Sequence, residues 1–395
     1  SSAIEKNNKE LVAAKEFKIP LVPRAQMLSE IMRFKKGIAI AGTHGKTTTT
    51  SIIANVLSDS GHDPTYVVGG VIRSNRTNAK LGQGDYFVAE ADESDRSFLL
   101  LSPMFVVITN IDYDHLSSYD NNFNNLLKAF VDFANSVPFY GLVIACGDCP
   151  RVRTIISEIN REVKTYGFTK GVDFQIMNYK QNGMNSIFDI KHGDDIFTVK
   201  TPLAGKHNAL NITASFALAM DLKIKYKKCL QTFSDFTGTN RRLQFLGNYN
   251  VNKELKIYDD YGHHPSELNV VIETLRVAYP GKPINMIFQP HRYSRTNELM
   301  SDFISTLSTL DQVYLLDIYS AGEINSYQIS SKHISEQINS QYDNIKAIYI
   351  PNNELNIKNI INVLSGILII QGAGNVSSIS NELKHILDLE KVVDA

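Results

Sequence analysis

Gly42-Thr43-His44-Gly45-Lys46-Thr47 gathers residue types that suit one task, the holding of a phosphate chain. Glycines let backbone N–H groups approach phosphate oxygens, a lysine reaches the terminal phosphates, and a threonine hydroxyl can ligate Mg²⁺. The apolar run Ile38-Ala39-Ile40-Ala41 precedes this loop, and a helical pattern from Lys46 to about Ser60, closed by Gly61, follows it. The loop therefore opens a helix whose N-terminus adds positive potential. A tight turn with an incidental lysine is the blander alternative, and the run Thr47-Thr48-Thr49-Thr50 weighs against it. Ile40 stands where the strict G-x-x-x-x-G-K-[ST] spacing wants its first glycine.

Other clusters of chemical side chains end or follow apolar runs. Glu90-Ala91-Asp92-Glu93-Ser94-Asp95 closes Tyr86–Ala89, where ligands of open α/β sheets collect and carboxylates can hold Mg²⁺ against ATP. By composition alone it reads equally as a solvated acidic loop. Asp114-His115 follows Phe105–Ile108 at the same expected edge; a lone histidine is more often structural, but its place beside Glu90 favours a ligand. His207 and Asn211 share a helical face. Asp259-Asp260-Tyr261-Gly262-His263-His264-Pro265 leads from strand to helix and could be a mere helix cap. Gln289-Pro290-His291-Arg292-Tyr293-Ser294-Arg295 follows a strand and offers two guanidinium forks, which bind carboxylates bidentately.

The elements that must position these groups alternate. Runs at Tyr66–Val68, Tyr86–Ala89, Phe105–Ile108 and Leu142–Ala145 read as buried parallel strands. Asp173–Lys200 alternates polar and apolar residues and reads as a small antiparallel appendage, followed by a helix from near His207. From about Gly238 the rhythm resumes: strand Ile257-Tyr258, helix Ser266–Ala278, strand Ile284–Phe288, helix Arg295–Leu310, strand Val313–Leu316, strand Ile367–Ile370 and a last helix from about Ser377. Residues 1–36 hold a short strand, Ile19–Pro23, and a helix, Arg24–Phe34, too little to bury a core.

The stretch Gly37–Thr50 resembles the shortened phosphate loop, G-x-x-G-K-[ST], of the Mur ligases. The motifs Glu90–Asp95, Asp259–Pro265 and Gln289–Arg295 resemble those of the family's alanine-adding branch, and the likeness runs from Ser1-Ser2-Ala3-Ile4 to Gln371-Gly372-Ala373-Gly374-Asn375. The resemblance implies a central phosphate-loop ATPase domain with a parallel sheet (37–237) and a C-terminal Rossmann-like α/β domain that binds the amino acid (238–395). Before them stands a remnant of an N-terminal Rossmann-like, UDP-sugar-binding domain (1–36). It implies ATP and Mg²⁺ as cofactors, and UDP-N-acetylmuramate and L-alanine as substrates. By the same resemblance Gly42, Thr43, His44, Gly45, Lys46, Thr47 and Thr48 hold ATP with Asn208 and Asn211 at the adenine and Arg242 at a phosphate. Thr47, Glu90 and His115 ligate metal; Asp92 lies by the muramyl substrate; Tyr261, His263, Arg292 and Arg295 bind alanine and the muramyl end. Lys46, Glu90, His115, His263 and Arg292 are the expected catalytic set. Leu243 replaces an expected phenylalanine. No lysine matches the modified lysine of other branches near the second ion. Closure about residues 236–240 is expected.

Bulk properties agree with a small-molecule enzyme. The 395 residues suffice for two or three domains, and the net charge of −1 gives no field to recruit nucleic acid or an anionic membrane. Three cysteines make no disulfide framework, and Cys146 and Cys149 read as ordinary thiols in a cytoplasmic protein. Nothing reads as a membrane span or a signal segment, and the oligomeric state is not legible. Three alternatives remain: the family's recycling ligase for a preformed tripeptide, a phosphate-loop kinase or GTPase, and a non-catalytic nucleotide-binding relative.

Overall fold

In the computed structural model, residues 4, 7–73, 76–249 and 253–393 are described, side chains only to 387; Ser1-Ser2-Ala3 of the resemblance lies outside them. The chain forms two compact units, one running to Lys180 and resuming at Asn185–Thr239, the other holding Gln181–Met184 and the chain from Asn240.

The first unit is built on ten strands: β1 (Lys36–Ala41), β2 (Thr65–Ile72), β3 (Thr77–Lys80), β4 (Tyr86–Glu90), β5 (Phe105–Ile108), β6 (Leu142–Cys146), β7 (Glu162–Gly167), β8 (Phe174–Asn182), β9 (Asn185–His192) and β10 (Asp195–Thr201). Their order is β10-β9-β8-β7-β6-β5-β1-β4-β2-β3. β1 is flanked by β4 and β5, both parallel to it, with Ile40 opposite Glu90 and Ala41 opposite Ile108. Its five buried residues alternate between two cores. Ile38 and Ile40 face the helices Lys46–Asp59 and Lys206–Asp221; Ala39 and Ala41 face the helix Phe123–Asn135. A strand covered on both faces must be apolar throughout, which is why β1 read as a continuous run.

Three expectations are corrected. The stretch Ile19–Pro23 is exposed and pairs with nothing, because Pro20 and Pro23 have no N–H to give a ladder. The antiparallel β9 and β10 are not an appendage: β8 pairs parallel with β7, so they extend the main sheet. Arg295–Leu310 is two helices, Tyr293–Glu298 and Met300–Leu307, broken where Leu299 leaves helical geometry (φ −109°, ψ 23°).

The second unit has six strands, β11 (Gln244–Tyr249), β12 (Leu255–Asp260), β13 (Ile284–Phe288), β14 (Gln312–Leu315), β15 (Lys346–Tyr349) and β16 (Gly366–Gln371), in the order β11-β12-β16-β13-β14-β15. All neighbours are parallel except β11 with β12. The carboxyl ends of β12, β16 and β13 lie side by side, bringing the loops after Asp260, Gln371 and Phe288 to one edge.

Candidate active site

At the carboxyl edge of β1, Gly42 has φ +132° and a Cβ there would stand 2.2 Å from Thr109 Oγ1, so only glycine fits. The loop is fastened from β5: Thr109 Oγ1 and Asn110 Nδ2 donate to His44 O (2.6 and 2.9 Å), His44 N donates to Asn110 Oδ1 (2.8 Å), and Asp112 N donates to Thr43 Oγ1 (2.8 Å). Gly45, left-handed at φ +83°, caps the helix Lys46–Asp59, and no side chain caps it. Helix N-termini present unpaired N–H groups, so this end is built to receive an anion. Thr48 is buried in its first turn.

Lys46 Nζ donates to Gly42 O (2.7 Å) and to both oxygens of Glu93 (3.0 and 2.8 Å). Burial, the largest influence on the ammonium, pushes its pKa down, but Glu93, with Asp92 and Glu90 behind it, outweighs that and holds it above the ordinary lysine value. Thr47 Oγ1 donates to Glu90 Oε2 at 3.2 Å, and Gly69 N donates to Glu90 Oε1 at 2.7 Å. Two hard oxygen donors this close, at the mouth of an anion-binding loop, fit a divalent cation such as Mg²⁺.

Asp92 is half-buried and accepts from Ser94 N (3.0 Å). His115 follows β5 at the same edge in a left-handed conformation (φ 57°), its Nε2 3.4 Å from Asp114. Among the described residues Glu90 and His115 do not gather with a third His, Cys or carboxylate into one ligand cluster. Asn211 Oδ1 accepts from Thr49 Oγ1 (3.2 Å) and sits 2.7 Å from where a Cβ on Gly45 would stand; Asn211 Nδ2 donates to Asn208 Oδ1 (3.4 Å). The Asn208 and Asn211 pair therefore touches the phosphate loop. Burial pushes His207 down to about 4, leaving a neutral ring whose buried Nδ1 has no hydrogen-bond partner among the described residues.

In the second unit, Asp260 ends β12 and fastens two loops: its carboxylate accepts from Leu243 N (2.7 Å), Gly262 N (2.7 Å) and Gln371 Nε2 (3.0 Å). Burial chiefly raises its pKa to about 6, against the pull of Arg242. Arg242 lies 5.1 Å from the Tyr261 ring centroid. His263 sits between Tyr261 and His291, at ring separations of 5.7 and 5.4 Å. The helix-cap reading applies to His264, which forms a capping box with Glu267 ahead of Pro265. Arg292, at φ 72°, is exposed, its side chain without a partner among the described residues. Arg295 is 6% exposed, with Nη1 3.4 Å from His291 Nδ1, so its fork supports His291 rather than lying open.

The structure thus assembles two sets, Gly42–Thr48 with Glu90, Asn208 and Asn211, and Arg242 with Tyr261 and His263, which His291 links to Arg295; among the described residues no hydrogen bond or ion pair brings the Arg292 side chain into the second set. Sequence reasoning passed over Glu93 as the partner of Lys46, and Gly69-Gly70, which lie against Glu90 and Thr47. A glycine pair inside a strand was the available signal of close approach. Cys146, Cys149 and Cys229 are free thiols. No helix among the described residues is long and apolar enough to cross a membrane.

Residues 40–219 match the family model of the Mur ligase middle domain, 241–374 that of the Mur ligase glutamate ligase domain, and 1–36 that of the Mur ligase family catalytic domain. A protein of Ruthia magnifica subsp. Calyptogena magnifica named UDP-N-acetylmuramate–L-alanine ligase is 46% identical, over 97% of this chain and 83% of its own length. One of the same name from Blochmanniella floridana is 45% identical, over 97% and 82%. Among solved structures, the UDP-N-acetylmuramate–alanine ligase of Thermotoga maritima superposes with a TM-score of 0.81 at 25% identity, covering 98% of this chain and 84% of that one. A murein peptide ligase from Psychrobacter arcticus gives 0.70 at 19% identity over 98% and 84%, a likeness of fold.

Proposed function

The chain belongs to the Mur ligase family of ATP-dependent ligases, and from that premise we propose that it joins L-alanine to the carboxylate of UDP-N-acetylmuramate in peptidoglycan precursor synthesis. The observation that carries the chemistry is the edge where Lys46, Thr47 and Glu90 meet an uncapped helix N-terminus. The alanine-adding relatives support the choice of substrate, and the use of ATP supports a cytoplasmic setting.

The muramyl carboxylate attacks the γ-phosphate of ATP to give an acyl phosphate and ADP, and the alanine amine then displaces phosphate through a tetrahedral intermediate. Phosphoryl transfer asks for positioning and charge neutralisation rather than covalent help. The loop N–H groups and Lys46 bind and orient the triphosphate, and Asn208 and Asn211 hold the adenine. Thr47 and Glu90 would hold Mg²⁺, with His115 at a second ion; the metal supplies neutralisation of phosphate charge. In the second unit Arg242 reaches phosphate, while Tyr261, His263 and Arg292 orient the amino acid and Arg295 steadies His291. In this reading 37–237 serve ATP, 238–395 serve the amino acid, and 1–36 belong with the sugar-nucleotide domain.

ADP release followed with UDP-N-acetylmuramate and L-alanine is the test, each omitted in turn. Release that needs all three substrates supports the reading. Release supported by a tripeptide but not by alanine would assign the recycling reaction instead, and release indifferent to any amino acid would remove the ligase assignment.

A further inference from the structure

We infer that Arg151 is a positioning residue for the phosphate loop, acting through Asp112; this rests on reading that loop as the ATP site. Asp112 touches two consecutive loop residues: its N–H donates to Thr43 Oγ1 (2.8 Å) and its Oδ2 lies 3.5 Å from His44 Nε2. The N–H brace fixes the loop, but it brings a carboxylate to the rim of a site that must receive a polyanion. An uncompensated charge there repels phosphate.

Arg151 answers that charge. Its Nη1 donates to Asp112 Oδ1 at 2.9 Å and to Ile111 O at 3.3 Å, so it holds both the carboxylate and the backbone of the bracing segment. The guanidinium is itself held, 4.5 Å from the centroid of Tyr113, whose ring stacks on Phe123 at 4.1 Å. The Asp112 carboxylate also accepts from Tyr113 N (2.8 Å), which fixes its orientation. Brace and neutralisation thus come from different groups, the Asp112 backbone N–H and the Arg151 side chain, and can be separated by mutation.

Calorimetric titration with Mg-ATP, alongside KM values for ATP and L-alanine, tests this. Arg151→Ala should weaken Mg-ATP binding roughly fivefold, the scale of a partly exposed ion pair, raising KM for ATP while leaving KM for L-alanine unchanged. Arg151→Lys, which keeps the charge, should stay nearer the parent and serves if the alanine variant folds poorly. The decisive variant is Arg151→Ala with Asp112→Asn, in which the carboxylate charge is gone while the backbone N–H that holds Thr43 stays, and most of the affinity should return. Unaltered binding by Arg151→Ala, a lysine variant as weak as the alanine one, or a double variant no better than the single would each overturn the inference. A parent chain that does not bind Mg-ATP would instead overturn the reading of the loop, and the inference with it.

Discussion

Lys46 gives its charge to Glu93, a carboxylate 2% exposed with both oxygens on the ammonium. Replacing the lysine therefore does two things. Lys46→Ala should lower turnover on the order of 10²–10³-fold through loss of a preorganised charge at the phosphates. It should also cost roughly 3–5 kcal/mol of stability, because Glu93 is left buried and unpaired. Adding Glu93→Gln should recover stability in urea unfolding but not turnover; a double variant as unstable as the single would show that the pair is not what holds the loop. Arg292 is the opposite case, exposed, its side chain engaged with no neighbour among the described residues. Arg292→Lys keeps charge but loses the fork, so the melting temperature should hold while KM for alanine rises and Mg-ATP binding stays constant. Equal loss of ATP affinity would move Arg292 to the nucleotide.

Asp260 works at the scale of the elements it ties, the segment before β11 and the turn into the helix Pro265–Ala278. Its folded pKa of about 6 lies above the ordinary value of 3.8, so the folded chain binds the proton more tightly than the unfolded one. Folding is thus penalised above about pH 6, and that penalty is relieved as pH falls toward 4. Measured against Asp260→Asn, which has no such proton, the parent should gain on the order of 2–3 kcal/mol between pH 7 and pH 4. A flat difference would mean that the carboxyl titrates normally. The strands around the two sites were legible because strands covered on both faces must be apolar runs. The helix Lys9–Glu16 was not legible, since it buries no residue and so carries no apolar stripe. The motif-bearing loops could be read by residue type, but the Lys46 pairing could not. Glu93 is one acid among four in Glu90–Asp95, and only the turn begun at Asp92 decides which of them points inward.

Over the whole molecule each unit owns its sheet and its apolar clusters, those packed about β1 and those about β16. A chain with separate cores has no reason to melt as one two-state system. Calorimetry should resolve two transitions, and Mg-ATP should raise the one belonging to the phosphate-loop unit by mass action; a single symmetric transition would argue for obligate coupling. Within that unit, Gly69 of β2 is glycine for want of room, since its backbone lies outside the left-handed region and a Cβ would stand 2.8 Å from Glu90 Oε2. Its neighbour Gly70 leaves 3.0 Å to Thr47 Cγ2. Glu90 and Thr47, the two residues proposed to hold the metal, therefore constrain positions more than twenty residues away in the sequence. Among diverging relatives, a side chain at position 69 should be inherited only together with a shortened or displaced acid at position 90, a linked change that an alignment of the family can seek.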